Sequence, residues 1–176
     1  PFVEVKAVVF NQQAEILAHM HRLHDAIEVL GTLLGLEPGN VEALEFQYTF
    51  LASIGRFDAA LDVIEFMLKR SPDNAGVLND MAWMLATWPD RSLRDADRAM
   101  ELAERALTLC TEDERYMVLD TLAAAHAADG RFEDAVRTEQ EAMEAAHELG
   151  LDLTIFELGL DFYTRGESIP SWDYFY

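Results

Sequence analysis

Three histidines near the start of the chain have side chains that could bind a metal ion. His19, His21 and His24 are potential zinc ligands, because imidazole is a common ligand of that metal. Two ligands on one helix face are normally four residues apart, whereas these histidines are two and three residues apart. The sequence has no cysteine or carboxylate cluster beside them. We therefore predict no metal site, and nothing else in the sequence calls for a cofactor.

Enzyme chemistry has no supporting pattern in the sequence either. We find no recognisable nucleophile–base signature, no glycine-rich phosphate loop and no Cys-x-x-Cys pair. Cys110 is the only cysteine, so no internal disulfide can form. We expect a protein that is not an enzyme.

A short basic patch interrupts an otherwise acidic chain. Arg91, Arg94 and Arg98 form the patch, and we expect them to pair with the acids beside them, which are Asp90, Asp95 and Asp97. The whole chain has 33 acidic residues against 13 Lys and Arg, which gives a net charge of −20. Binding to a nucleic-acid backbone needs clustered bases, so the charge argues against nucleic acid and favours a basic or neutral protein partner.

The elements that would position a binding site follow a fixed period. Ala26 and Pro38 recur as Ala60 and Pro72, each 34 residues further on. The hexapeptide that begins at Gly55 returns, nearly unchanged, at Gly130. A period of this length is typical of arrays of helical hairpins.

One unit, residues 41–74, shows the pattern clearly. Its first helix has one face formed by Leu44, Gln47, Tyr48 and Leu51. Gly55 ends that helix, since glycine adopts the left-handed conformation at low cost. The second helix has inward positions at Ala60, Ile64 and Met67, and Pro72 ends the unit. Alanine at position 60 lets the two helices approach closely.

This unit resembles the tetratricopeptide repeat, whose pattern is W-x2-L-G-x2-Y, then A-x3-F, then P. The resemblance, to helical repeat proteins of bacterial type, implies an all-α, right-handed superhelix of about four hairpins with a C-terminal capping helix. The implied repeats are residues 7–40, 41–74, 75–115 and 116–149, followed by a capping helix at 150–165 and an aromatic tail at 166–176.

Several positions depart from the pattern. His21 replaces the glycine between the first two helices, and the third repeat has an insertion of five residues at 88–92. Polar side chains occupy positions where the family prefers apolar ones, namely Gln13, Gln47, His126 and Glu139. We expect altered packing at these four positions.

The resemblance also implies a binding surface, because the first helix of each repeat lines the concave face. The predicted partner-binding residues are Glu42, Glu45, Thr49, Asn79, Trp83, Thr87, Met117, Asp120 and Ala124. The first repeat would add Val8, Asn11, Glu15, Ala18 and His19. Trp83 is the strongest candidate, since exposed tryptophans often dominate binding energies. The carboxylate clamp of some family members is not supported, because none of these residues is Lys or Arg.

The predicted function is a scaffold that binds a peptide or protein partner on this concave surface. Two alternatives stay open. The chain begins with Pro1 and not Met, so it could be a regulatory or docking part of a larger polypeptide, such as a membrane-bound enzyme. It could instead self-associate as a homodimer through its aromatic tail of Trp172, Tyr174, Phe175 and Tyr176. The sequence itself has no run of 18 apolar residues that would predict a transmembrane segment.

Overall fold

The protein is helical throughout the part that the structure, a computed structural model, describes: residues 2–89 and 91–170. These ranges contain nine α-helices and no β-strand, so the predicted all-α class is confirmed. Asp90 and the aromatic side chains at Trp172, Tyr174, Phe175 and Tyr176 lie outside the described residues. The helices are α1 (Phe2–His19), α2 (Leu23–Leu36), α3 (Val41–Ser53), α4 (Phe57–Arg70), α5 (Ala75–Thr87), α6 (Ala96–Leu109), α7 (Arg115–Ala128), α8 (Phe132–Glu148) and α9 (Thr154–Thr164).

The helices group into two compact units, one ending at Arg70 and the other beginning at Ser71. In the first unit, α1 packs on α2, α2 on α3, and α3 on α4. In the second unit, α5 packs on α6 and α7 on α8, while α7 also contacts α5 and α6. Helix α9 lies mainly against α8, with a smaller contact on α7.

An alanine at the same place in each second helix allows close packing within each hairpin. Ala26, Ala60, Ala99 and Ala135 are all completely buried, with 0 % of their surface exposed. Larger side chains fill the space on either side. Leu30, Leu33 and Phe50 belong to the core of the first unit, whereas Leu119, Leu122 and Phe156 belong to cores of the second.

Three of the corners between paired helices use one backbone geometry. His21, Gly55 and Gly130 have φ angles of 57°, 75° and 78°. At each corner the next N–H reaches back to close the helix end: Arg22 to the Leu17 carbonyl, Arg56 to Leu51 and Arg131 to His126, at 2.8–2.9 Å. His21 therefore occupies the left-handed position that glycine fills at the other two corners.

The corner of the third hairpin, between α5 and α6, is built differently because it holds the inserted residues. A short 3-10 turn, Arg91–Leu93, lies between the helices. The Asp95 N–H donates to the Leu85 carbonyl at 3.2 Å, and the Asp95 side chain caps α6 by accepting from the Arg98 N–H at 3.0 Å. Trp88 is buried beneath this corner, with 2 % of its surface exposed.

Candidate functional site

The predicted binding residues of the first unit lie on α3, and they are mostly exposed. Glu42 and Glu45 are exposed and Thr49 is half-buried. The Asn11 side chain of α1 donates from Nδ2 to Oε2 of Glu42 at 2.6 Å. Asn11 is itself buried, so it fixes the position of this carboxylate from below. Thr49 uses its hydroxyl internally, donating to the Glu45 carbonyl at 2.8 Å.

The predicted binding residues of the second unit differ widely in exposure. Met117 is 42 % exposed, while Asn79, Trp83 and Asp120 are half-buried. Thr87 and Ala124 are buried, at 1 % and 2 % exposure. The Thr87 hydroxyl donates to the Trp83 carbonyl at 2.7 Å, so it too has an internal partner. A partner could therefore contact mainly Met117, Asn79, Trp83 and Asp120 in this unit.

Asn79 and Trp83 form an adjacent pair on α5. They are four residues apart, and such side chains are neighbours on a helix face. The side-chain oxygen of Asn79 is buried and accepts no hydrogen bond from any described residue. A buried acceptor without a donor is costly, and a bound donor normally satisfies it. The exposed part of this pair is thus the aromatic surface of Trp83 and the remaining polar surface of Asn79.

Asp120 belongs to a cluster of ionisable side chains that sequence reasoning did not foresee. Glu139 of α8 and Tyr163 of α9 approach it, and these two are almost fully buried, at 0 % and 1 % exposure. Burial raises the pKa of Glu139 to about 10, helped by the charge of Asp120 and a hydrogen bond to it. Burial also raises the pKa of Asp120 to about 7, and the bond from Glu139 partly offsets that rise.

Above about pH 7 these shifts leave one proton on the pair of carboxyl groups. Neither Glu139 oxygen has a donor among the described residues, so an ionised Glu139 would be a buried, unsatisfied charge. A protonated Glu139 instead donates to Asp120, and Asp120 remains able to carry the negative charge. Burial and the two carboxyl groups also raise the pKa of Tyr163, whose hydroxyl keeps its proton. Above that pH the cluster carries one negative charge, on the half-buried Asp120.

Gly159 of α9 makes room for this cluster. A Cβ atom at this position would lie 3.1 Å from Oε1 of Glu139, closer than nearly all ordinary contacts of a Cβ atom. Glu139, a polar residue at a position where the repeat pattern prefers an apolar one, is thus accommodated by a glycine on the neighbouring helix α9. His126 is also buried, at 8 % exposure, and burial lowers its pKa. By contrast, Gln13 is exposed and Gln47 is half-buried.

Among the described residues Arg94 pairs with neither Asp95 nor Asp97, so the expectation of local pairing is wrong for these two acids. Its Nε donates to the Trp88 carbonyl at 2.7 Å, and its Nη atoms donate to residues 168–170 beyond α9. The acid Asp95 caps α6 instead. No sequence pattern predicts the contact with residues 168–170, because these residues lie more than 70 positions from Arg94 in the chain.

The histidines His19, His21 and His24 are exposed at the first corner. Within residues 2–89 and 91–170, no three His, Cys, Asp or Glu side chains come together as a metal site requires. The same part of the chain contains no helix that combines the length and the apolar character needed to cross a bilayer.

The architecture resembles solved structures of tetratricopeptide repeat proteins. MamA from Desulfovibrio magneticus RS-1 matches with a TM-score of 0.70 at 18 % identity, covering 91 % of this chain and 84 % of that one. PilW, described as a widely conserved type IV pilus biogenesis factor, matches with a TM-score of 0.70 at 19 % identity, covering 91 % and 75 %. The protein thus has the tetratricopeptide repeat fold, and the resemblance predicted from the sequence is confirmed.

Comparison by sequence finds relatives that match only part of the chain. Sperm-associated antigen 1 of Rattus norvegicus is 28 % identical over 107 residues, and the Mus musculus protein is 26 % identical over the same length. The match covers 61 % of this chain but only 11 % of each relative, so the chain spans about a tenth of those proteins. No protein-family model matches the chain.

Proposed function

We propose that this protein is a non-enzymatic interaction scaffold that binds a peptide or protein partner on the surface of its first helices. The nine predicted residues are Glu42, Glu45 and Thr49 in the first unit, and Asn79, Trp83, Thr87, Met117, Asp120 and Ala124 in the second, where Thr87 and Ala124 are buried. The fold supports this proposal, because stacked helical hairpins form extended surfaces that commonly bind other proteins. The similarity to PilW, a biogenesis factor, agrees with a role in assembly.

The pair of Asn79 and Trp83 carries the proposal. Trp83 offers a large, rigid aromatic surface that is held by the helix and loses little freedom on binding. Asn79, which is half-buried one turn before Trp83 on α5, can add a polar contact at the edge of this aromatic surface. Since α5 contacts α7, a partner that covers this pair can extend toward the α7 residues Met117 and Asp120.

The charge of the surface favours a basic or neutral partner. Glu42, Glu45 and Asp120 contribute carboxyl groups, and none of the nine residues is basic. Opposite charge on a partner would raise the association rate and would make binding weaken with added salt. A basic or neutral peptide would therefore bind more readily than an acidic one.

A peptide library displayed on phage tests the proposal without knowledge of the natural partner. Peptides selected on the immobilised protein would be synthesised, and their affinity measured by calorimetry for wild type and for Trp83→Ala. We expect Trp83→Ala to weaken binding by about tenfold or more, as loss of a central aromatic contact does. Phe66→Ala is the matched control, because Phe66 is an exposed aromatic on a second helix, at 37 % exposure.

Two outcomes would contradict the proposal. Selected peptides that bind Trp83→Ala as tightly as wild type, with an unchanged melting temperature, would show that the surface lies elsewhere. Affinity that does not fall between low and high salt would remove the electrostatic part and leave the aromatic part intact.

A second candidate role follows from the sequence relatives. The match to sperm-associated antigen 1 lies within a much longer protein, which favours a role as a docking module of a larger polypeptide. This role uses the same binding surface and differs only in what the chain is joined to.

A further inference from the structure

The chain returns to the third hairpin after its last helix. Helix α9 ends at Thr164, and Gly166 takes a φ of 71°, which reverses the chain direction. Residues 168–170 then lie against the corner between α5 and α6, where the five-residue insertion is located. Ile169 is buried there, with 1 % of its surface exposed.

Arg94 uses all three of its guanidinium nitrogens at this corner, and two of them hold the returning segment. Nε donates to the Trp88 carbonyl at 2.7 Å, and Nη1 donates to the Ser168 hydroxyl at 3.1 Å. Nη2 donates to two carbonyls, those of Ile169 at 2.8 Å and Pro170 at 3.0 Å. One side chain therefore fixes both the corner and three consecutive residues of the segment.

The contacts define what kind of ligand this corner accepts. Arg94 binds two main-chain carbonyls, which every peptide has, and one hydroxyl. The buried Ile169 supplies the apolar side chain. Pro170 has no N–H to leave unsatisfied and favours an extended conformation in the residue before it. The ligand is thus an extended peptide with a hydroxyl residue, an aliphatic residue and proline in succession.

Residues 168–170 can also leave the corner between α5 and α6 without unfolding of the hairpins. When the segment leaves, water can replace the carbonyl oxygens around the guanidinium, so Arg94 is not left as a buried, unpaired charge. Residues 168–170 lie beyond α9, so no helix has to unwind when they leave. Rebinding of residues 168–170 to the corner is favoured because only a few residues connect them to α9.

We infer that the corner between α5 and α6, with Arg94 at its centre, is a peptide-binding site whose resident ligand is the chain's own segment at residues 168–170. The segment binds in cis and excludes other peptides of the same form. This site is separate from the first-helix surface proposed above, and it operates without any outside partner.

Competition with a synthetic peptide tests this inference on the full-length chain. The probe is a fluorescein-labelled peptide with the sequence of residues 167–176, and binding is followed by fluorescence anisotropy. Ile169→Ser in the chain removes the apolar anchor and releases the site. We expect this variant to bind the probe at least about tenfold more tightly than wild type, because a tethered ligand competes at millimolar effective concentration.

Matched variants identify the residue responsible. In the Ile169→Ser chain, a second change of Arg94→Ala should weaken probe binding by more than about tenfold, since charge-assisted hydrogen bonds are lost. Arg91→Ala, in the same turn, should leave it unchanged. A probe with serine in place of isoleucine should bind none of these chains. Equal binding to wild type and Ile169→Ser, or binding that survives Arg94→Ala, would overturn the inference.

A second measurement decides the matter if Ile169→Ser fails to fold. In full-length Arg94→Ala, amide hydrogen exchange at residues 167–169 should be at least about tenfold faster than in wild type, while α7 and α8 stay protected. Unchanged exchange at those residues would overturn the inference. A wild-type dimer that becomes a monomer in Arg94→Ala would also overturn it, because the segment would then bind a second copy of the chain.

Discussion

Replacing Glu139 with glutamine should make the protein more stable, and the gain should grow with pH. The structure keeps Glu139 protonated because it is completely buried beside Asp120. In the unfolded chain the same carboxyl group has its ordinary pKa of 4.5 and is ionised at neutral pH. Folding above that pH therefore requires the uptake of a proton. Glutamine has nearly the same shape, donates to Asp120 through its amide and takes up no proton.

The size of the effect follows from linkage between proton binding and folding. At Glu139 the folded protein holds a proton that the unfolded chain has released, so this residue alone lowers stability by about 1.4 kcal/mol per pH unit above the unfolded pKa. The loss continues until the folded pKa of about 10. Relative to glutamine, the wild type should lose about 3 kcal/mol at pH 7 and under about 1 kcal/mol at pH 5. This is a large share of the 5–15 kcal/mol that is typical of total stability.

Urea unfolding followed by far-ultraviolet circular dichroism at pH 5, 6, 7 and 8 measures this difference. Taking the difference between Glu139→Gln and wild type cancels groups that titrate alike in both. These include His126, whose lowered pKa makes stability fall as the pH drops through 6.5. The matched control is Glu141→Gln, since Glu141 is exposed on the same helix. It should give a difference that changes little with pH.

A flat difference between pH 5 and pH 8 would refute the reasoning. It would mean that the folded protein releases the Glu139 proton as readily as the unfolded chain does. A difference that falls with pH would go further, because it would show that an ionised Glu139 is stabilised in the fold.

Two further predictions concern backbone positions. His21→Gly should raise stability by about 1 kcal/mol in thermal melts, because glycine adopts the positive φ of this corner without strain, whereas Gly130→Ala should lower it by a similar amount. A loss with His21→Gly or a gain with Gly130→Ala would contradict the strain assigned to these corners. Gly35→Ala should stabilise α2 by up to about 1 kcal/mol, since its methyl group meets nothing within 4 Å. Gly159→Ala should destabilise the chain because its methyl group would press on the buried Glu139, and equal gains at both sites would contradict that contact.

The helical architecture was predictable because the repeat imposes the same local requirements several times. The alanines at 26 and 60 and the glycine corners recur at a fixed interval, and each has a local physical reason. The sequence also revealed the insertion in the third repeat, since it shifts the register by five residues. The repeat period cannot predict a contact that occurs in only one repeat.

Both unexpected contacts in the second unit are of that kind. Asp120, Glu139 and Tyr163 come from three helices, and nothing in a repeat pattern matches a polar residue in one helix to its partner in another. Arg94 stands among acids, so local charge predicted local pairs, yet its hydrogen bonds go to residues 168–170. Register alone predicts the binding positions, so it cannot separate buried Thr87 and Ala124 from half-buried Trp83.

The fit between Glu139 and Gly159 limits how this array can be rearranged by duplication or by design. Hairpins that meet through alanine and leucine are interchangeable, and repeat proteins gain or lose them readily. Helix α9 is not interchangeable in this sense, because a generic helix after α8 would place a Cβ atom against the Glu139 carboxyl group. We therefore expect α7, α8 and α9 to be inherited, transplanted or deleted only as a single block.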